Sequence, residues 1–130
     1  MLKRRMMTRI LAVTAAMTLI MPMAVFADDE YYIDAKDYVD ATQEDVTKEL
    51  GDVSADGERE DAVCIISDYG HSADVTTGSL ESLEGDSLSV YSWGESSAFT
   101  EVNGNVTGGS DGIYVSAHEK SDVQIEANGN

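Results

Sequence analysis

Glu101-Val102-Asn103-Gly104-Asn105 returns as Glu126-Ala127-Asn128-Gly129-Asn130, a displacement of 126 − 101 = 25 residues. The same step carried backwards aligns a third unit without gaps. Asp61, Asp86 and Asp111 form one column, followed by Val63, Leu88 and Ile113, by Ile65, Val90 and Val115, and by Ser67, Ser92 and Ala117. A second series places Ala73 with Ala98 and Val123, Val75 with Thr100 and Ile125, and Thr77 with Val102 and Ala127. Between these columns stand mostly polar ones, such as Asp74, Phe99 and Gln124, or Thr76, Glu101 and Glu126. Side chains of a strand alternate between two faces, so each run sends one series inward and the other outward.

A unit of this length with two or three short strands and no helix predicts one coil of a parallel β-solenoid. The fold expected is therefore all-β: about three 25-residue coils over residues 61–130, the last incomplete. The Asn-Gly pairs would serve as corners, where both residues tolerate left-handed backbone angles. The alternative is an antiparallel meander with each Asn-Gly as a type I′ hairpin turn. Equal spacing favours the solenoid, because a hairpin does not need it. A further step of 25 residues back puts Asp40 in the Val/Ile column, so the repeat is expected to begin near residue 61.

Residues 28–60 have a different texture and form an acidic N-terminal segment, a cap ending in a linker over 51–60. From Asp28 through Asp61 the chain carries 14 acidic residues. Thr42-Gln43-Glu44-Asp45 has the pattern of a helix start, and Val46 and Leu50 share a face at i, i+4 spacing before Gly51. A short helix over 43–50 is the expectation.

Residues 1–27 have the order of a secretory signal peptide. Lys3, Arg4, Arg5 and Arg9 supply the positive start, Ile10 to Phe26 carry no charge, and Val25-Phe26-Ala27 precedes the acidic Asp28-Asp29-Glu30. A retained membrane anchor is the alternative, although Pro22 interrupts the run and its length is at the short limit for a span. Cleavage would leave 4 Lys+Arg against 25 Asp+Glu, a net charge of 4 − 25 = −21 on the exported chain. Such a surface repels nucleic acid and anionic lipid, so no nucleic acid and no membrane contact beyond the signal is expected. Cys64 is the single cysteine, which excludes an intramolecular disulfide. A buried small hydrophobe is its first reading, an intermolecular bridge the second.

Val102-Asn103-Gly104-Asn105-Val106-Thr107-Gly108-Gly109-Ser110-Asp111-Gly112-Ile113-Tyr114-Val115 resembles the Asn-Gly-rich repeats of bacterial surface β-helix proteins, the adhesin-like and haemagglutinin-like group. The resemblance covers residues 61–130. It implies a bacterial protein, secreted or held at the cell surface, acting as a non-catalytic structural or adhesive module. Repeats in that group are usually more numerous, so the chain is expected to be the opening part of a longer repeat protein. The alternative is the N-terminal fragment of a β-helix carbohydrate-active enzyme or carbohydrate-binding protein. Partners implied are carbohydrate or another surface protein, with edge-to-edge self-association through unpaired strands.

Candidate sites follow from the columns. Stacked carboxylates at Asp61, Asp86 and Asp111 suit calcium shared between coils, against a plain role as turn acceptors. Gly108-Gly109-Ser110-Asp111-Gly112 resembles the calcium repeats of secreted β-rolls but departs from the full nonapeptide. Tyr91, Trp93 and Phe99 occupy outward positions, where either the N-terminal segment folds back over them with Val46 and Leu50, or they form a carbohydrate or assembly surface. Glu101 and Glu126 share a column at a separation that retaining glycosidases use, although a solvated face explains them as well. His71 and His118 fall in different columns and are expected to be surface residues. No catalytic residue and no cofactor other than calcium is expected.

Overall fold

The computed structural model describes residues 34–130, and the signal-peptide reading lies outside them. The described chain is all strand and turn, wound as a parallel β-solenoid of about four coils. The first coil holds β1 (Ala35–Ala41), β2 (Val46–Glu49) and β3 (Val53–Ala55). The second holds β4 (Asp61–Ser67), β5 (Ser72–Thr77) and β6 (Leu80–Ser82). The third holds β7 (Leu88–Ser92), β8 (Ser97–Val102) and β9 (Val106–Thr107), and the fourth β10 (Ile113–Ala117) and β11 (Asp122–Ala127). Stacking gives three parallel sheets, β1-β4-β7-β10, β2-β5-β8-β11 and β3-β6-β9.

Register follows the 25-residue step from the second coil onward in the first two sheets, while in the third Leu80 pairs with Val106, a spacing of 106 − 80 = 26. Ile65 pairs with Val90 and Val90 with Val115, while Val75 pairs with Thr100 and Thr100 with Ile125. Parallel pairing with every bond between neighbouring coils excludes the antiparallel meander.

The solenoid starts one coil earlier than the fixed step implies. Val39 pairs with Ile65, a spacing of 65 − 39 = 26, and Val46 pairs with Ala73, a spacing of 73 − 46 = 27. The extra residues shift Asp40 out of the inward column and bring Val39, 1% exposed, into it. The helix expected over 43–50 is instead a turn and the strand β2, and part of the expected linker is the strand β3. Its bonding explains why. The Leu50 N–H donates to the Thr76 carbonyl at 2.8 Å and the Val53 N–H to the Ser79 carbonyl at 2.9 Å, so the next coil supplies the partners a helix would have supplied itself. Val46 and Lys48, two apart, then occupy the columns of Ala73 and Val75.

Inward columns build one narrow core. Val39, Val63, Ile65, Val75, Leu80, Leu88, Val90 and Val102 are at most 1% exposed. In the first coil, the corresponding columns hold Asp37 against Val63 and Lys48 against Val75. Charged residues at those positions make these columns polar in the first described coil. On the fourth coil Ile113 and Val115 are 37% and 45% exposed.

The corners differ from expectation in one respect. Between the first and second sheets, the His71 N–H donates to the Asp68 carbonyl (3.1 Å), Ser96 to Trp93 (3.1 Å) and Ser121 to His118 (3.2 Å). The central pairs Tyr69-Gly70, Gly94-Glu95 and Glu119-Lys120 all have positive φ, between 57° and 80°. These are I′-type turns repeated coil after coil, a geometry better known from hairpins. The Asn-Gly pairs, by contrast, are not in the left-handed region. Their glycines serve close stacking: a Cβ on Gly104 would run into Ser79, and one on Gly129 into the Gly104 carbonyl.

Candidate interaction surface

Residues two apart on a strand project on the same side, and aligned residues of the next coil lie beside them. On the outer side of the first sheet this gathers four rings. Tyr91 on β7 and Trp93 just beyond it lie with centroids 5.7 Å apart and planes within 6°. Tyr114 on β10 tilts against Tyr91 at 5.7 Å and 43°. His118 stacks on Trp93 at 6.3 Å with planes within 10°, and its Nε2 is 3.0 Å from the Ser116 hydroxyl. Offset packing of this kind is favourable for ring pairs beyond their buried area. Burial, with Cys64 nearby, pushes the Tyr91 phenol up to about 12. Tyr114 remains 41% exposed.

Phe99 does not join them. It lies on β8 in the second sheet, between Asp74 and Gln124 of the neighbouring coils. Tyr114 and His118 were not expected at the site, yet the repeat carries the signal for one of them. His118 follows Trp93 by 118 − 93 = 25 residues. Tyr114 is aligned with Ser89, so its contact with Tyr91 is diagonal and the column alone does not show it.

The aspartate column forms as the repeat implies, and its carboxylates face the backbone. Asp61 Oδ1 accepts the Asp86 N–H at 2.8 Å, and Asp86 Oδ1 accepts the Asp111 N–H at 2.9 Å. The Ser89 hydroxyl stands 2.6 Å from Asp61 Oδ2 and 3.2 Å from Asp86 Oδ2. Burial raises the Asp61 carboxyl above its ordinary value, and the bonds from Ser89 and the Asp86 N–H oppose that. The column therefore acts as a ladder of acceptors tying each coil entrance to the next. Among the described residues, no group of three or more His, Cys, Asp and Glu side chains is placed to hold a metal ion.

Glu101 and Glu126 are register partners on the outer side of the second sheet. An open depression at the left-handed corner, lined by Gly94, Glu95, Glu119 and Lys120, lies elsewhere. His71 Nδ1 is 3.5 Å from Asp45 Oδ1, linking the first two coils. Cys64 is buried within β4, all seven residues of which are buried, and burial pushes its thiol well above the ordinary range. A thiol so held packs as a small apolar side chain.

No family model, curated protein or solved structure matches the chain. The class that the geometry defines is a parallel β-solenoid built on a repeat of about 25 residues.

Proposed function

We propose that the chain is an exported, non-catalytic interaction module, bacterial and adhesin-like in kind, whose contact surface is the ring group Tyr91, Trp93, Tyr114 and His118. One observation carries this reading: three near-parallel rings, Tyr91, Trp93 and His118, held on a stacked and rigid support. Rings spaced along a sheet offer flat apolar faces of the kind that sugar rings lie against, with the Ser116 hydroxyl beside them able to bond a sugar hydroxyl. The strongly negative chain favours a neutral glycan over an anionic one. The signal-like residues 1–27 support the reading of an exported chain, secreted or at the cell surface, in which the solenoid would act as the spacer presenting these rings.

Trp93 is the single tryptophan, so its emission reports directly on the site. Titration with neutral polysaccharides should shift that emission saturably, and Tyr114→Ala should weaken the response severalfold without changing the β-type circular dichroism. Unchanged emission across a panel of neutral glycans would refute the sugar assignment. Glycan cleavage lost in Glu101→Gln would favour the enzyme-fragment alternative instead.

A further inference from the structure

All four asparagines of the chain fall in two copies of one corner, Asn103, Asn105, Asn128 and Asn130. Asn103 and Asn128 stack across coils, with Asn128 Nδ2 donating to Asn103 Oδ1 at 2.9 Å. Each is followed by a glycine that the stack does not allow to change, since a Cβ on Gly104 or Gly129 would collide with the coil beneath. The backbone on either side is pinned. The Asn103 N–H donates to the Thr77 carbonyl (2.9 Å) and the Asn105 N–H to Ser79 Oγ (3.1 Å), while the Asn128 N–H donates to the Val102 carbonyl (2.9 Å) and the Asn130 N–H to Asn105 Oδ1 (3.1 Å). Only the central N–H of each corner, on Gly104 and Gly129, donates to no protein acceptor among the described residues.

We infer that Asn103 and Asn128 are sites of spontaneous deamidation in the folded protein. The reaction requires a backbone nitrogen that is neither hydrogen-bonded nor shielded by a side chain, one position after an exposed asparagine. Both corners supply it. The Gly104 nitrogen gives up its proton to solvent base and attacks Asn103 Cγ. A C–N bond closes a five-membered succinimide, the Cγ–Nδ2 bond breaks, and the side-chain nitrogen leaves as ammonia. Water then adds to one of the two ring carbonyls and opens the ring to aspartate or to isoaspartate. No oxidant or reductant takes part. Gly129 and Asn128 react in the same way. Asn105 is the internal contrast, because the following Val106 N–H is bonded to the Asn130 carbonyl and its side chain is β-branched.

The product alters the corner. A neutral amide pair between coils becomes a carboxylate facing an amide, and then two facing carboxylates in an already acidic chain. Isoaspartate lengthens the main chain by one carbon where hydrogen bonds on both sides hold the register. The glycines that permit tight stacking thereby set a chemical clock on the same corner.

The test follows the folded full chain held at mildly alkaline pH, sampled over days by peptide mass mapping and by enzymatic methylation of isoaspartate, beside a urea-unfolded sample. The expected result is measurable conversion at Asn103 and Asn128 in the folded chain, slower than in the unfolded one because the flanking bonds restrain ring closure, with Asn105 intact. Intact amides at both positions in the folded sample, while the unfolded sample converts, would overturn the inference. Conversion confined to Asn105 would overturn it as well.

Discussion

Val90→Asp tests the stacking of the core directly. Val90 is fully buried, in register with Ile65 on one side and Val115 on the other. No cation lies in its column, so a carboxylate there either ionises without a partner or takes up a proton. A buried carboxyl shifts upward by about 3–5 pKa units. At about 1.4 kcal/mol per unit, that corresponds to about 4 kcal/mol at neutral pH, because uptake of a proton caps the cost at the gap between pH 7 and the ordinary carboxyl value of about 3.9. Burying even the neutral carboxyl adds about 1–3 kcal/mol, and a chain of this size has a stability on the order of 5–15 kcal/mol, so the variant should lose most of its stability near pH 7. Because the penalty falls on the charged form, acid should restore part of the loss. Urea denaturation followed by far-UV circular dichroism and Trp93 emission, at neutral pH and near pH 5, gives both quantities. Tyr91→Asp, on the outer side of the same strand, is the control and should cost less. A Val90→Asp chain with an unchanged midpoint, beside a Tyr91→Asp chain that unfolds, would mean that the two faces of β7 have been assigned the wrong way round.

The left-handed corners make a second prediction: Lys120→Gly should stabilise by about 0.5–1 kcal/mol, because the residue sits at φ 63° where glycine is unstrained and Gly70 and Gly94 already occupy equivalent turns. An unchanged thermal midpoint would argue against strain there. Gly85→Ala should cost about 1–3 kcal/mol, since the added Cβ would meet the Glu60 carbonyl at 2.6 Å and backbone cannot step aside; a midpoint equal to the parent's would refute the close approach. Stability should rise as pH falls from neutrality toward the ordinary carboxylate range. Burial raises the carboxyls of both Asp34 and Asp61 in the folded chain, so the folded state binds protons more readily there than the unfolded state and gains from them. Tyr91 gives the corresponding loss in alkali: with its phenol pushed up to about 12, stability should decline as pH climbs through 10 toward that value. A urea midpoint that falls steadily on acidification would contradict the assigned burial of Asp61.

How much of this was legible in advance depends on what repeats. The columns from Asp61 onward were visible because period 2 within a strand and period 25 between coils constrain the same residues twice. Inward Val90 and Leu88 followed from that pattern alone, as did the alignment of Asp61, Asp86 and Asp111. The first coil was hidden by one or two inserted residues. An insertion of that size is absorbed by a corner in space but displaces every later residue in a fixed-step alignment, and Val46 with Leu50 then imitated a helix.

Parallel stacking was therefore a property of the sequence, since equal spacing of alternating apolar residues has few other packed solutions. What the tertiary structure alone decided was local and relational. It set which corner goes left-handed, turned the aspartates toward backbone N–H groups, and brought Tyr114 diagonally onto Tyr91. These outcomes depend on hydrogen bonds and contacts between residues about 25 positions apart, whose geometry is set only once the coils lie on one another.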